Sequence, residues 1–150
     1  MSFVDGQTLT AAQLNAAFAA AFPISQVQVP GLFTEMVAAG AFVHFSKPSG
    51  TVNVQNAVAN DATRIANGYV LVGGNSGDAA LVWRFGLNSA ITVASSADQV
   101  WLSATTPGGY VTTPYDPSVD TGKFNQLLNL GPALPGIGIF FFPQPMIGPF

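Results

Sequence analysis

The chain has 150 residues, a length that fits one domain, and only 7% of them are charged, whereas an ordinary soluble domain carries roughly 25%. The net charge of −3 with four basic residues argues against direct binding to nucleic acid, which takes a basic patch, and the lack of cysteine excludes disulfides and thiolate metal sites. No apolar run reaches the ~20 residues of a membrane-spanning helix, and the first residues lack the basic region of a signal peptide. A surface with so little charge is expected to be largely covered by partners.

The first predicted element is a short α-helix within an N-terminal arm of residues 1–30. Thr10 is the expected N-cap, and Pro23 ends the helix. The helix carries an apolar stripe at positions i, i+4 and i+8, formed by Leu14, Phe18 and Phe22. A helix of about a dozen residues is marginal in water without docking, so the stripe packs either on its own domain or on a neighbouring chain.

Residues 31–142 are predicted to form a β-domain, because short stretches alternate polar and apolar residues between Gly and Pro. The predicted strands, the first of which begins in the arm, are residues 25–31, 41–45, 51–55, 68–74, 80–86, 90–94, 100–105, 109–113, 123–131 and 136–142. Residues 73–78 and 106–109 have the glycines of hairpin turns. The pattern favours a mainly β fold, an antiparallel β-sandwich or small jelly-roll-like barrel preceded by one short N-terminal α-helix.

The last predicted strand, GIGIFFF, is apolar on both faces. Alternation places Ile137, Ile139 and Phe141 on one face and Phe140 and Phe142 on the other. The following residues 143–150 form an apolar arm with three prolines, which favour extended geometry outside a sheet. This arm, with Met146, Ile147 and Phe150, is expected either to be received by a neighbouring chain or to fold back on its own domain.

The sequence shows no catalytic constellation. His44 and Ser46 share a predicted strand face, but a triad also needs a carboxylate and an oxyanion hole. The acidic residues stand singly beside turn formers, as in solvated loops. Five aromatic residues are either core residues or the lining of a carbohydrate groove: Tyr69, Trp83, Trp101, Tyr110 and Tyr115. We expect no enzyme activity, cofactor or metal.

The chain resembles the small virion proteins of tailed bacteriophages. The opening DGQTLTAAQLNAAF is similar to the leader of short head-decoration, head-fibre and tail-fibre proteins. Residues 67–73, 100–114 and 122–134 resemble the β-module of these proteins, in which a strand ending in Leu-Ser precedes a Pro-Gly-Gly turn.

The resemblance implies a trimeric, non-enzymatic β-protein. The low charge favours a capsid decoration (cement) protein that binds the major capsid protein on the outer shell of the virion after assembly in the host cytoplasm. The alternative is a fibre or tail-tip module that binds a host receptor or glycan. The expected contacts with sibling subunits or with the capsid are Leu14, Phe18, Phe22, Phe140, Phe142, Met146, Ile147 and Phe150.

Overall fold

The fold is mainly β, as predicted, in a computed structural model that describes residues 28–114, 128–142 and 144–145. The strands of this part are β1 (Gln28–Phe33), β2 (Phe42–Ser49), β3 (Thr51–Asn56), β4 (Gly68–Val70), β5 (Ala79–Trp83), β6 (Gly86–Asn88), β7 (Ala97–Leu102), β8 (Tyr110–Val111), β9 (Leu128–Leu134), β10 (Gly138–Phe141) and β11 (Gln144–Pro145). The predicted N-terminal helix lies outside the described residues.

Strands β1 to β5 close into a barrel in the order β1-β3-β2-β4-β5. Strand β1 pairs antiparallel with β5 and parallel with β3, and the other neighbours are antiparallel. The parallel pair differs from the predicted antiparallel arrangement. Its reason is geometric, because strand directions cannot alternate around a closed ring with an odd number of members.

The barrel interior is filled by alternate residues of its strands, as the sequence pattern requires. Buried members of this core are Phe33, Val37, Ala41, Val43, Val54, Val70, Ala80 and Val82. Their strand neighbours point outwards, and part of this outer surface packs against the second sheet. The barrel therefore contributes to two cores, one inside it and one on its outside.

The second sheet has the order β6-β10-β9-β7-β8, and β11 pairs with β9 beyond the end of β10. One face of this sheet covers the barrel, and the rings of Phe42 and Tyr69 lie 5.5 and 5.7 Å from the ring of Phe141. Strand β11 continues along β9, so the pairing extends to Pro145, three positions past the predicted end at residue 142. The prediction that the arm lies outside the sheet is therefore wrong for residues 144 and 145, which pair with the backbone of β9.

Two details of the predicted strands are wrong. Residues 90–94 form turns and bends rather than a strand, although Val93 is buried and Ile91 packs against the same core. The strand instead lies at β6, which contains a single apolar side chain, Leu87. The two predicted hairpin turns are confirmed, with Gly77 and Gly108 at φ values of 93° and 73°.

Polar contacts fasten the loops at one end of the barrel. The Glu35 carboxylate accepts hydrogen bonds from the backbone and side-chain amides of Asn56 at 2.8 and 3.0 Å and pairs with the Arg64 guanidinium. Arg64 also donates to the carbonyl of Asn56 at 2.9 Å. In the same loop as Arg64, the hydroxyl and amide of Thr63 donate to the Asp61 carboxylate and hold its pKa below the usual value. Among the residues described, no helix is long and apolar enough to cross a membrane.

Candidate interaction surface

The face of the second sheet that points away from the barrel carries exposed apolar side chains. Leu87 and Phe140 are direct cross-strand partners, with 38% and 41% of their surface exposed. Phe142 and Leu134 lie on the same face by strand alternation and register, with 54% and 38% exposed. We call these four residues the outer face.

The sequence places Phe140 and Phe142 on this face through the alternation of β10. Ile139 and Phe141 are fully buried against the barrel, so the residues between and after them must point outwards. This part of the prediction is confirmed. Ile137 is the exception, because it lies in the turn before β10 and is 53% exposed rather than on the buried face.

The backbones of β9 and β10 are in close contact beneath the side chains of the outer face. Gly131 in β9 has a φ of 116°, and a Cβ atom there would overlap the carbonyl oxygen of Phe140. Glycine therefore lets β9 and β10 approach each other at the base of the two phenylalanines.

Strand β6 is fastened to the barrel through Tyr69 and Asn88. The Tyr69 hydroxyl donates to the carbonyl of Leu87 at 3.2 Å, and burial raises the pKa of Tyr69 to about 12. The Asn88 amide is fully buried and donates to the carbonyl of Gly40 at 2.8 Å. These two bonds fix the position of Leu87 opposite Phe140.

The outer face is also uncharged, since strands β6, β9 and β10 contain no acidic or basic residue. An exposed surface that is apolar and free of charge has the composition of the centre of a protein interface. Sequence reasoning missed Leu87 and Leu134, because only the pairing of β6 and β9 with β10 shows which way these side chains point. The other predicted contacts, Leu14, Phe18, Phe22, Met146, Ile147 and Phe150, lie outside the described residues.

The aromatic residues considered for a carbohydrate groove do not line one where they are described. Tyr69 and Trp101 are 1% and 8% exposed, and Trp83 and Tyr110 are half-buried against the core between barrel and sheet. Tyr115 lies outside the described residues. The core alternative is therefore the correct one for Tyr69, Trp83 and Trp101, whereas Tyr110 packs against the core and also lines a small cavity.

His44 is engaged by the backbone, with its Nδ1 atom 3.0 Å from the carbonyl oxygen of Ile65. Across the strand pair its neighbour is Gln55, while Ser46 is exposed opposite Asn53. Within the part of the chain that the structure describes, no group of three His, Asp or Glu side chains could hold a metal ion.

A shallow cavity of about 210 Å³ lies beside the barrel end. It is lined by residues 38–41, Ile91 and residues 106–110, none of them charged. Met36 and Val72, which are 75% and 78% exposed, belong to the two loops that meet at this end of the barrel through the bridge between Val37 and Gly74. The described part of the chain thus offers an apolar face and a separate small apolar cavity.

Comparison of the chain with family models, with curated proteins and with solved structures gave no match.

Proposed function

We propose that this chain is a non-catalytic decoration (cement) protein of a tailed-bacteriophage capsid, which binds the outer surface of the major capsid shell as a homotrimer and stabilises it. The single observation that carries the proposal is the outer face, an uncharged apolar surface on a chain that has few charges anywhere. The resemblance of its opening and of its β-module to small virion proteins supplies the class of partner.

The physical basis of this function is burial of apolar surface between copies and against the shell. Apolar burial contributes about 25 cal/mol per Å², and a standard interface covers about 1,600 Å². After the cost of association, such contacts repeated over a shell add stability against the pressure of packaged DNA. No cofactor and no chemical step is required.

The remaining parts of the proposal concern residues beyond the outer face. The proposal includes the predicted N-terminal helix, whose stripe of Leu14, Phe18 and Phe22 would provide a second contact to a sibling or to the capsid. The protein is assembled in the host cytoplasm and remains on the virion surface, with no direct contact to nucleic acid or membrane.

The test replaces the cross-strand pair of the outer face by threonine, which keeps the preference for a strand. The double variant Leu87→Thr with Phe140→Thr should stay folded, but native mass spectrometry should no longer detect a trimer, because apolar contact area is removed. The matched control is Leu32→Thr with Leu81→Thr, since these residues are 42% and 45% exposed on the barrel strands β1 and β5.

The control variant should keep the native mass of the unchanged chain. If both double variants remain trimers, the outer face is not the contact between copies. The location is tested separately by quantifying the chain in purified virions. A copy number comparable to that of the major capsid protein supports decoration, whereas only a few copies per virion would indicate the fibre or tail-tip module.

A further inference from the structure

We propose that two exposed loops at the barrel end contact the outer face of a neighbouring copy of this chain, so that three chains close into a ring head to tail. The contact is made by Met36 and Val72, which we call the barrel tip. This inference rests on the proposed homotrimer and names the second surface that the trimer needs. A cyclic trimer has heterologous contacts, in which two different surfaces of each chain meet, so the outer face alone does not build it.

The barrel tip carries the two most exposed large apolar side chains of the described residues. Val72 and Met36 are 78% and 75% exposed, whereas no residue of the outer face exceeds the 54% of Phe142. Side chains exposed to this extent project from the surface, and those of the outer face lie closer against their sheet. The tip therefore has the shape of a projection, and the outer face has the shape of a flat surface that can receive it.

Backbone contacts hold the two loops of the barrel tip together. Val37 and Gly74 exchange two backbone hydrogen bonds of 2.9 Å. Gly73 lies so close to the carbonyl oxygen of Val37 that a Cβ atom at position 73 would overlap it. The Ser76 hydroxyl also donates to the carbonyl of Thr34 at 3.2 Å. Because these contacts already order the tip in the single chain, association does not have to order it.

The barrel tip matches the outer face in its lack of charge. Residues 36–41 and 71–75, which contain the tip, include no acidic or basic residue. The acidic residue before the first of these segments, Glu35, is paired with Arg64. The acidic residue after the second, Asp78, accepts a hydrogen bond from the backbone amide of Asn75 at 2.8 Å. The contact thus joins two uncharged apolar surfaces, and neither has to bury an unpaired charge.

The barrel tip and the outer face meet the same end of the molecule. Leu134 of the outer face leads into the turn at Gly136, whose amide donates to the carbonyl of Val93 at 3.4 Å. Ile91 of the same loop lies beside the first tip loop, because a Cβ atom on Gly40 would lie 2.7 Å from its side chain. The two surfaces are therefore adjacent. Adjacent surfaces allow a rotation that closes a small ring, whereas surfaces on opposite sides of a chain build an open row.

The exposed leucines of the barrel strands do not meet this condition. Strands β2, β4 and β5 contribute Phe42, Tyr69 and Trp83 to the core between the barrel and the second sheet, and among the described residues β1 contributes none. The outward side of β1, with Leu32 and its neighbour Leu81 on β5, thus points away from the second sheet and is opposite the outer face. Contact at these leucines would lead to an open row rather than to a closed trimer.

Mixing two defective variants tests the head-to-tail contact. One variant carries Met36→Gln with Val72→Asp and lacks the apolar tip, and the other is the outer-face variant Leu87→Thr with Phe140→Thr. Each variant alone should have the native mass of one chain, since a ring needs both surfaces on every member. Their equimolar mixture should give the mass of two chains, one of each variant, because the intact outer face of the first binds the intact tip of the second. No larger species should form, since this pair has no second intact contact.

Native mass spectrometry of the mixture covers concentrations up to about tenfold above those at which the unchanged chain is a trimer, because a single contact lacks the gain from ring closure. Pairs of unlike variants should exceed pairs of like variants by about tenfold or more. A mixture that stays at the mass of one chain, or a tip variant that keeps the mass of three chains, would overturn the proposal. Pairs of the tip variant with itself would also overturn it, in favour of outer faces that meet each other.

The absence of cysteine from the sequence allows a second test that changes one residue per chain. A chain with Val72→Cys is mixed with a chain carrying Phe142→Cys, and linked peptides are quantified by mass spectrometry under mild oxidation. The matched control partner carries Leu81→Cys, because Leu81 is exposed to a similar extent, 45% against 54%, but lies on the barrel. The link between positions 72 and 142 should form at least about tenfold faster than the link between positions 72 and 81. Equal rates would reject the contact.

Native mass measured on the unchanged protein separates this inference from the proposed function. A mass of three chains without pairing of the unlike variants would reject the tip contact and leave the trimer in place. A mass of one chain at all concentrations would reject the homotrimer, and the tip contact with it.

Discussion

Tyr69 is the residue that joins the barrel to the second sheet. Its ring packs on Phe141 and its hydroxyl donates to the carbonyl of Leu87, so one side chain contacts both β10 and β6. Burial disfavours the charged phenolate and raises the pKa of Tyr69 to about 12. Because this value exceeds the ordinary pKa of about 10, the stability that depends on the protonated phenol is complete below pH 10 and is lost as the pH rises towards 12.

The variant Tyr69→Phe should lower the free energy of unfolding by about 1 kcal/mol at neutral pH, since it removes one hydrogen bond and keeps the ring. It should also show a smaller loss of stability between pH 10 and pH 12 than the unchanged protein. Urea unfolding at pH 8 and at pH 11.5 measures both effects, with Tyr110→Phe as the control for removing a half-buried phenol. An alkaline loss of the same size in Tyr69→Phe would assign that loss to other groups.

The contact of β9 with β10 depends on the single glycine at position 131. Gly131→Ala places a methyl group against the carbonyl of Phe140 at a backbone conformation that side chains rarely adopt. We expect a loss of about 3 kcal/mol or more in the free energy of unfolding. The matched control is Gly136→Ala, also at positive φ (69°) but with open space around the added methyl, which should cost about 1 kcal/mol.

Urea unfolding of the two alanine variants measures this difference. Equal losses at positions 131 and 136 would mean that backbone strain alone, and not the close approach of β9 and β10, explains the glycine. The outcome concerns the candidate interface directly, because the same contact sets the spacing beneath Phe140 and Phe142.

The same elements show how much the sequence could predict. Alternation identified most of the strands and placed Phe140 and Phe142 on the face opposite Ile139 and Phe141, because a strand turns successive side chains to opposite faces. It missed β6, because a strand of three residues with a single leucine is too short to show alternation. It also wrongly predicted a strand at residues 90–94, where Val93 is buried although it lies in a loop. The parallel pairing of β1 with β3 could not be predicted from the sequence pattern, because it results from closure of the five-stranded barrel. The outward direction of Leu134 could not be predicted either, because it depends on the register between β9 and β10.

For the whole molecule, the low content of charged residues predicts that assembly does not depend on salt concentration. If copies associate through the uncharged outer face, salt should leave the assembly intact, since screening acts only on charges. Raising the salt concentration from 0.01 M to 1 M shortens the screening length from about 30 Å to about 3 Å. Light scattering should therefore give the same native mass at both concentrations, and dissociation at high salt would show that charged groups hold the copies together.

The closed barrel has a further consequence for a chain that is 49% hydrophobic. Exposed sheet edges are where β-proteins add strands from other chains and aggregate. The barrel offers no such edge, and within the described residues the outermost strands of the second sheet, β6 and β8, are three and two residues long. Copies at high local concentration can therefore associate through sheet faces, whereas aggregation by addition of strands at sheet edges is disfavoured.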